Sequence, residues 1–200
     1  TGSDVASVAL RAVRAEGGWH LMGAKTWCTF AGRSELLVVL ARTDPDPALE
    51  FRGLSLFLVE KPAYGGHEFE VKQEQGGSLS GRAISTLGYR GMHSFELAFD
   101  EFFVPDANLV GGEAGLGQGF YSTMAGFAGG RIQTAARATG VMQAACEKTL
   151  SYVTERSTFG TPLAGYQLTQ IKVAKMFATI AASRQFSYSV AKLMDEGEGQ

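Results

Sequence analysis

Apolar and polar positions change rhythm once along this chain. Up to about residue 110 the apolar residues come in short runs or alternate, and each run is closed by a turn signal. Gly17-Gly18-Trp19-His20-Leu21-Met22-Gly23 sets a turn ahead of a short alternating run. Residues 36–42 are a continuous apolar run of strand length that stops at Asp44-Pro45-Asp46-Pro47. Residues 54–60 repeat that pattern and are closed by Lys61-Pro62, residues 69–72 alternate, and residues 95–104 form a further run closed by Pro105. Strands separated by turns, with no helical period, predict an antiparallel sandwich or barrel. The polar, glycine-rich block 73–81 reads as an exposed loop, ordered only beside a ligand or a neighbouring domain.

Beyond residue 115 the period becomes helical. Ile132, Ala135, Ala136, Thr139, Met142, Cys146, Thr149, Leu150 and Val153 recur at i, i+3 and i+4 spacing. They predict a helix from near Gln118, with Gly129-Gly130 as a weak point and Gly160-Thr161-Pro162 as the stop. A second helix is expected from about Tyr166 to Met194. Leu168, Ile171, Ala174, Phe177 and Ala178 line its apolar stripe, and Val173, Met176 and Ile180 widen it. A surface this wide needs several helical neighbours, from before Thr1, from beyond Gln200 or from another subunit. The expected architecture is an α+β multidomain chain. An antiparallel β-domain covers residues 1–112, and the first helices of an all-α bundle cover residues 113–200.

Composition narrows the classes. The 200 residues are 45% apolar and 19% charged, with a net charge of −2. That excludes disorder by low hydropathy, and it excludes a nucleic-acid binder held by bulk positive charge. Two cysteines, Cys28 and Cys146, make no disulfide scaffold and no zinc ribbon. His20, His67 and His93 lie far apart without ligand spacing, which points away from a metal site. No run reaches the roughly 18 apolar residues of a membrane span. The first residues carry no basic and then apolar leader and no initiator methionine, so the chain is expected to be a fragment of a longer protein.

Candidate chemistry sits in a few places. Trp27 and Thr29 fall two apart in a strand region, and period two would put both on one face. They offer a flat ring a stacking plane and a hydroxyl, or else they are a core tryptophan beside a strand threonine. Arg156, in Glu155-Arg156-Ser157-Thr158-Phe159-Gly160, can fork onto a phosphate or simply complement the end of a helix. Arg131 is a rim charge or an anion contact. There is no complete Gly-x-Gly-x-x-Gly after a strand, no Walker loop and no Gly-x-Ser-x-Gly elbow.

Taken in order, five motifs resemble the acyl-CoA dehydrogenase family over the whole chain. They are Gly-Ser-Asp-x-x-Ser at 2–7, Gly-x-Lys-Thr-Trp-x-Thr at 23–29, Leu-Gly-Tyr-Arg-Gly at 87–91, Phe-Asp-x-x-x-Val-Pro at 99–105 and Arg-x-Thr-Phe-Gly at 156–160. The resemblance implies a middle β-domain followed by the start of a C-terminal helical bundle. It implies FAD as cofactor, with Trp27 against the isoalloxazine and Thr29 near its N5 edge. Gly2 and Ser3 would line the flavin, and Ser3 also the CoA part of a thioester substrate. Arg156, Thr158 and Phe159 would hold the FAD of a neighbouring subunit, with Arg156 on the pyrophosphate. Leu163, Tyr166 and Gln167 would border the flavin, Tyr166 standing where the family often has histidine. Arg131 matches an arginine beside the substrate.

The implied reaction is α,β-desaturation of an acyl-CoA: a glutamate takes the α-proton and the β-hydrogen leaves as hydride. In one branch of the family that glutamate immediately precedes the arginine matched by Arg131, and here the position is Gly130. The base is therefore expected beyond Gln200, no residue of this chain is catalytic, and the isolated fragment is expected to be inactive. Residues 88–92 and 128–138 look most like the branch that acts on (2S)-methylsuccinyl-CoA. An electron-transferring flavoprotein as acceptor and a homotetramer are further implications. So is a cytoplasmic location, or the mitochondrial matrix if the source is eukaryotic. The alternatives are an acyl-CoA oxidase or nitroalkane-oxidase-like flavoenzyme of the same fold, a non-catalytic relative, and a plain β-domain binding module.

Overall fold

The computed structural model describes residues 3–88 and 91–197. The chain divides into two compact units, Thr1–Met124 and Ala125–Gln200.

The first unit is built on one seven-stranded sheet. Its strands are β1 (Arg11–Ala15), β2 (Gly18–Thr29), β3 (Leu36–Arg42), β4 (Leu54–Glu60), β5 (Glu68–Lys72), β6 (Ser78–Ala83) and β7 (Ser94–Pro105). Their order is β4-β3-β1-β2-β7-β6-β5. Neighbours are antiparallel except β1 and β3, which meet in parallel at Arg11 and Arg42. The sheet is thus mostly antiparallel, as the alternating pattern implies. Val59 of one edge strand and Phe69 of the other belong to one buried cluster with Leu21, Phe57, Leu79 and Phe95. A single sheet whose two edges share a core is barrel-like in its economy: one apolar face is buried against itself.

Two irregularities set which side chains face that core. In β7, Phe95, Leu97 and Phe99 are buried on odd numbers, and Phe102 and Val104 on even ones. The parity changes at Asp100-Glu101, where β2 pairs Leu21 with Phe102 but Gly23 with Phe99, and Glu101 takes φ 48°. The second bulge lies on β2. Lys25 pairs with Leu97 and Cys28 with Phe95, so β2 carries one extra residue, and Trp27 takes φ 60°. A bulge of this kind bends a strand and re-aims a side chain.

The block 73–81 corrects the loop reading. Gln73 opens a turn and is fixed to β7 at both ends of its amide. Its Nε2 donates to the Phe103 carbonyl at 2.8 Å, and its Oε1 accepts from the Phe103 amide at 2.7 Å. From Ser78 on, the chain is strand β6, wedged between β5 and β7. Only Leu79 and Gly81 turn inward, and a Cβ on Gly81 would lie 2.2 Å from the Phe69 ring. Its polar letters are those of a strand with one solvated face and no room on the other. Strand β1 escapes the hydropathy pattern for a similar reason: only Ala12 of Arg-Ala-Val-Arg-Ala is buried.

The two helices follow the predicted periods. Helix α1 (Gly119–Glu155) starts in the first unit and runs through Gly129-Gly130 without a break. In the second unit β8 (Ser157–Thr158) and β9 (Thr161–Pro162) form a two-stranded hairpin. A 3₁₀ turn, Leu163–Gly165, then leads into α2 (Gln167–Asp195). Thr139, Cys146 and Val153 are buried at seven-residue intervals on α1, facing α2, whose Ile180 is buried. Arg184 on α2 donates to Gln143 Oε1 on α1 at 3.0 Å. Phe127, Val141, Phe177 and Phe186 remain exposed, as expected for helices lacking further neighbours.

Candidate functional site

Among the predicted residues, Trp27 and Thr29 share the end of β2. The bulge between Lys25 and Cys28 breaks period two, so the shared-face argument from spacing does not hold as stated. The observed local geometry does leave both side chains exposed, Trp27 at 58%. The Thr29 hydroxyl lies 3.2 Å from the Ser94 hydroxyl at the start of β7. The turn that follows is held hard. Phe30 takes φ 65° and donates its amide to the His93 carbonyl at 2.9 Å, and Arg33 and Ser34 close back onto the Phe30 carbonyl. Beneath the turn the buried Lys61 ammonium donates to the carbonyls of Gly32 (2.9 Å), Ser34 (2.7 Å) and Pro62 (2.9 Å). It also sits 4.5 Å from the centroid of the Phe69 ring. All three ammonium protons are used, which makes Lys61 a structural tie. Burial nonetheless pushes its pKa below the usual lysine range.

Lys25 and Cys28 flank Trp27 on the inner side. Lys25 donates to the Leu40 carbonyl at 2.9 Å, and burial lowers its pKa, partly offset by Cys28. Burial raises the Cys28 thiol, partly offset by Lys25. A thiol with a raised pKa holds little of the reactive thiolate at neutral pH. Ser3 is exposed, ahead of the 3₁₀ turn Val5–Ser7. Gly2 lies outside the described residues, as do Tyr89 and Arg90 of the fourth motif.

The second unit presents its own set. Arg156 is exposed at the end of α1, its amide bonded to Tyr152 and its carbonyl accepting from Leu163 at 2.8 Å. The hairpin turn at Phe159-Gly160 has φ values of 51° and 78°, and Phe159 is 100% exposed. Thr158 is half-buried. The Tyr166 hydroxyl donates to its carbonyl at 2.7 Å, joining the hairpin to the start of α2. Leu163 is half-buried, and Gln167 is exposed as the first residue of α2. Arg131 is exposed on α1 at the mouth of a cavity of about 320 Å³ walled by Ile132, Ala135, Phe186, Val190 and Leu193.

Ser94 and Lys61 have no signal in the sequence: each acts through a partner more than 25 positions away. Among the described residues, no group of three or more His, Cys, Asp and Glu is arranged to hold a metal ion. Among the same residues, no helix is long and apolar enough to cross a membrane.

Residues 1–102 match the family model for the acyl-CoA dehydrogenase middle domain, and residues 117–200 match that for the acyl-CoA dehydrogenase C-terminal domain. The chain is 42% identical to the (2S)-methylsuccinyl-CoA dehydrogenase of Cereibacter sphaeroides over 199 residues, 99% of this chain and 35% of that protein. It is 37% identical to the mitochondrial isovaleryl-CoA dehydrogenase of Solanum tuberosum over 98% of this chain and 43% of that one. Among solved structures, the acyl-CoA dehydrogenase of Geobacillus kaustophilus superposes with a TM-score of 0.84 at 28% identity, covering 99% of this chain and 48% of that one. The butyryl-CoA dehydrogenase of Megasphaera elsdenii gives 0.83 at 29% identity, with the same coverage. The chain therefore spans less than half the length of each of these relatives.

Proposed function

Because the chain belongs to the acyl-CoA dehydrogenase family, we propose that its parent protein binds FAD and desaturates an acyl-CoA thioester between Cα and Cβ. The observation that carries this reading is the indole of Trp27, held in solvent by a bulge two residues before the Thr29–Ser94 hydroxyl pair. An exposed aromatic on a rigid strand end and a hydroxyl of fixed direction suit the face and edge of a flat heteroaromatic ring. Bound FAD would supply the hydride acceptor.

In this reading each unit contributes its own contacts. In the first, Trp27 packs on the ring system, Thr29 donates a hydrogen bond to its edge, and Gly2 and Ser3 line the flavin and the CoA moiety. In the second, Arg156, Thr158 and Phe159 hold the FAD of a neighbouring subunit, with Arg156 on its pyrophosphate. Leu163, Tyr166 and Gln167 border the cofactor. The exposed Phe159 at a strained turn supports this, since an apolar ring in water gains by being covered. Arg131 is assigned to the substrate side. Gly130 offers no carboxylate ahead of it, so no glutamate of these 200 residues is assigned as base.

Within the family we read the substrate as (2S)-methylsuccinyl-CoA, supported by the 42% identity to the Cereibacter sphaeroides enzyme. An electron-transferring flavoprotein is the proposed acceptor. A homotetramer is proposed on the exposed apolar side chains of α2. The test uses the full-length protein loaded with FAD. (2S)-methylsuccinyl-CoA, butyryl-CoA and isobutyryl-CoA are added separately without oxygen, and the oxidised-flavin band is followed. Bleaching by methylsuccinyl-CoA alone is expected. Bleaching by a straight or simply branched acyl-CoA keeps the dehydrogenase and overturns the substrate, and no bleaching by any points to a different substrate class or to a fold kept without its chemistry. Oxygen consumption on turnover would favour the oxidase alternative.

A further inference from the structure

We propose that His67 and His93 form a binding site for a divalent transition-metal ion of the zinc class. The two residues are 26 apart in sequence, yet the fold sets their Nε2 atoms 3.2 Å from each other. The rings are nearly perpendicular, at 79°, with centroids 4.5 Å apart. Zn–N bonds of about 2.0–2.1 Å at a tetrahedral angle put two ligating nitrogens about 3.3–3.4 Å apart. The observed separation is within a few tenths of that value. The same separation serves an N–H···N hydrogen bond in the metal-free protein, so the ion would replace one shared proton contact with two coordinate bonds.

The surroundings allow it. A cavity of about 430 Å³ opens on both imidazoles and is lined further by Ser85, Thr86 and Gly88. That leaves room for the ion and the water ligands of its remaining positions. Among the described lining residues none carries a fixed positive charge, and none is a carboxylate or a thiol. Two neutral nitrogen donors without carboxylate select borderline cations over Mg²⁺ or Ca²⁺, which take oxygen ligands.

Hydrogen bonds hold the main chain of both residues. The His67 carbonyl accepts from Ala83 at 2.7 Å, and the His93 carbonyl accepts from Phe30 at 2.9 Å. His67 leads into β5 and His93 into β7, so an ion here ties two segments that no neighbouring strand pair joins directly. His93 precedes Ser94, the partner of Thr29, and the ion would therefore brace the turn next to that hydroxyl pair.

The test titrates Zn²⁺ into the chelator-stripped full-length protein and into H67A, H93A and H20A. His20 serves as control, since its Nδ1 is bonded to the Glu101 carbonyl away from this cavity. The expected result is saturable binding that weakens at least tenfold in H67A and H93A and is unchanged in H20A. A melting temperature that rises with Zn²⁺ only in the wild type and H20A would agree. As a check that needs no variant, Co²⁺ should shift the imidazole NMR signals of His67 and His93 and leave those of His20. The proposal is overturned by the absence of saturable binding, by equal binding in all variants, by loss of binding in C28S instead, or by Co²⁺ shifts that miss the pair.

Discussion

The Tyr166 phenol donates a 2.7 Å hydrogen bond to the Thr158 carbonyl and so fastens the Phe159 turn to the first residues of α2. This bond is half-buried and local, so its loss should cost about 0.5–1.5 kcal/mol. Tyr166→Phe is expected to lower the unfolding free energy by that amount and to loosen the turn. Phe159→Ala should do the opposite: a wholly exposed ring contributes nothing to the fold, and its truncation should leave stability unchanged while FAD affinity drops. Denaturant unfolding and FAD titration of the full-length apoprotein separate the two. Equal FAD affinity in Phe159→Ala would remove that residue from the cofactor site.

Thr29 and Ser94 should behave as a unit. With the hydroxyls 3.2 Å apart, Ser94 fixes the direction in which Thr29 points. Ser94→Ala is expected to slow flavin reduction by a factor of about 3–10, in line with one modest hydrogen bond. Thr29→Ala should slow it more, and the double variant should be no slower than Thr29→Ala. Stopped-flow reduction by the acyl-CoA gives the cycle, and additive losses would show that the pair is uncoupled.

Gly119, the first residue of α1, sets two effects of opposite sign against each other. Alanine is the better helix former by about 1 kcal/mol. A Cβ at Gly119, however, would lie 2.6 Å from the Ser55 carbonyl carbon and 2.7 Å from Leu40 Cδ1. Backbone cannot yield as a side-chain tip does, so the overlap should win by about 1–3 kcal/mol. Gly119→Ala is expected to destabilise the protein, whereas Gly126→Ala, where a Cβ meets nothing, should stabilise it. Thermal melts of both variants decide.

Lys25 gives a pH dependence with a definite sign. Its folded pKa is lowered by burial. Between that value and the ordinary lysine value, the unfolded chain keeps a proton that the folded chain has released, so stability rises with pH across the window. Cys28 titrates the other way, because its raised thiol loses stability as pH climbs. In a Cys28→Ser background, the stability difference between Lys25 and Lys25→Met should therefore move in favour of Lys25 from neutral pH toward the ordinary lysine range. A flat difference in urea midpoints would mean that Lys25 stays charged without penalty.

Much of this molecule can be read from hydropathy, for identifiable reasons. Strands β3, β4 and β7 bury enough large side chains to impose their pattern on the sequence, and both long helices repeat apolar positions at helical spacing although most of those side chains stay exposed. Strands β1 and β6 bury too few to show a pattern, Ala12 alone on one and Leu79 with Gly81 on the other, and exist because their neighbours pair with them. The β7 bulge has a visible mark, two adjacent acids at Asp100-Glu101 between apolar residues. The β2 bulge has none: Trp27 and Phe30 adopt positive φ without being glycine or asparagine. The motif order points to the family, but Ser94, Lys61 and the meeting of His67 with His93 arise from pairing across the sheet, which spacing along a chain does not encode.

The extra residue on β2 also limits how this segment can change over time. Side chains from Cys28 onward take their facing from a count of three residues opposite two on β7. Substitution at Thr26 or Trp27 alters one side chain and leaves that count alone. Deletion of either would leave two residues opposite two: Cys28 and Thr29 would keep Phe95 and Ser94 as partners, but the bulge that holds an aromatic ring out in solvent would be lost. The stretch should thus admit many letters but only one length, and alignments of its descendants should show replacements there without gaps.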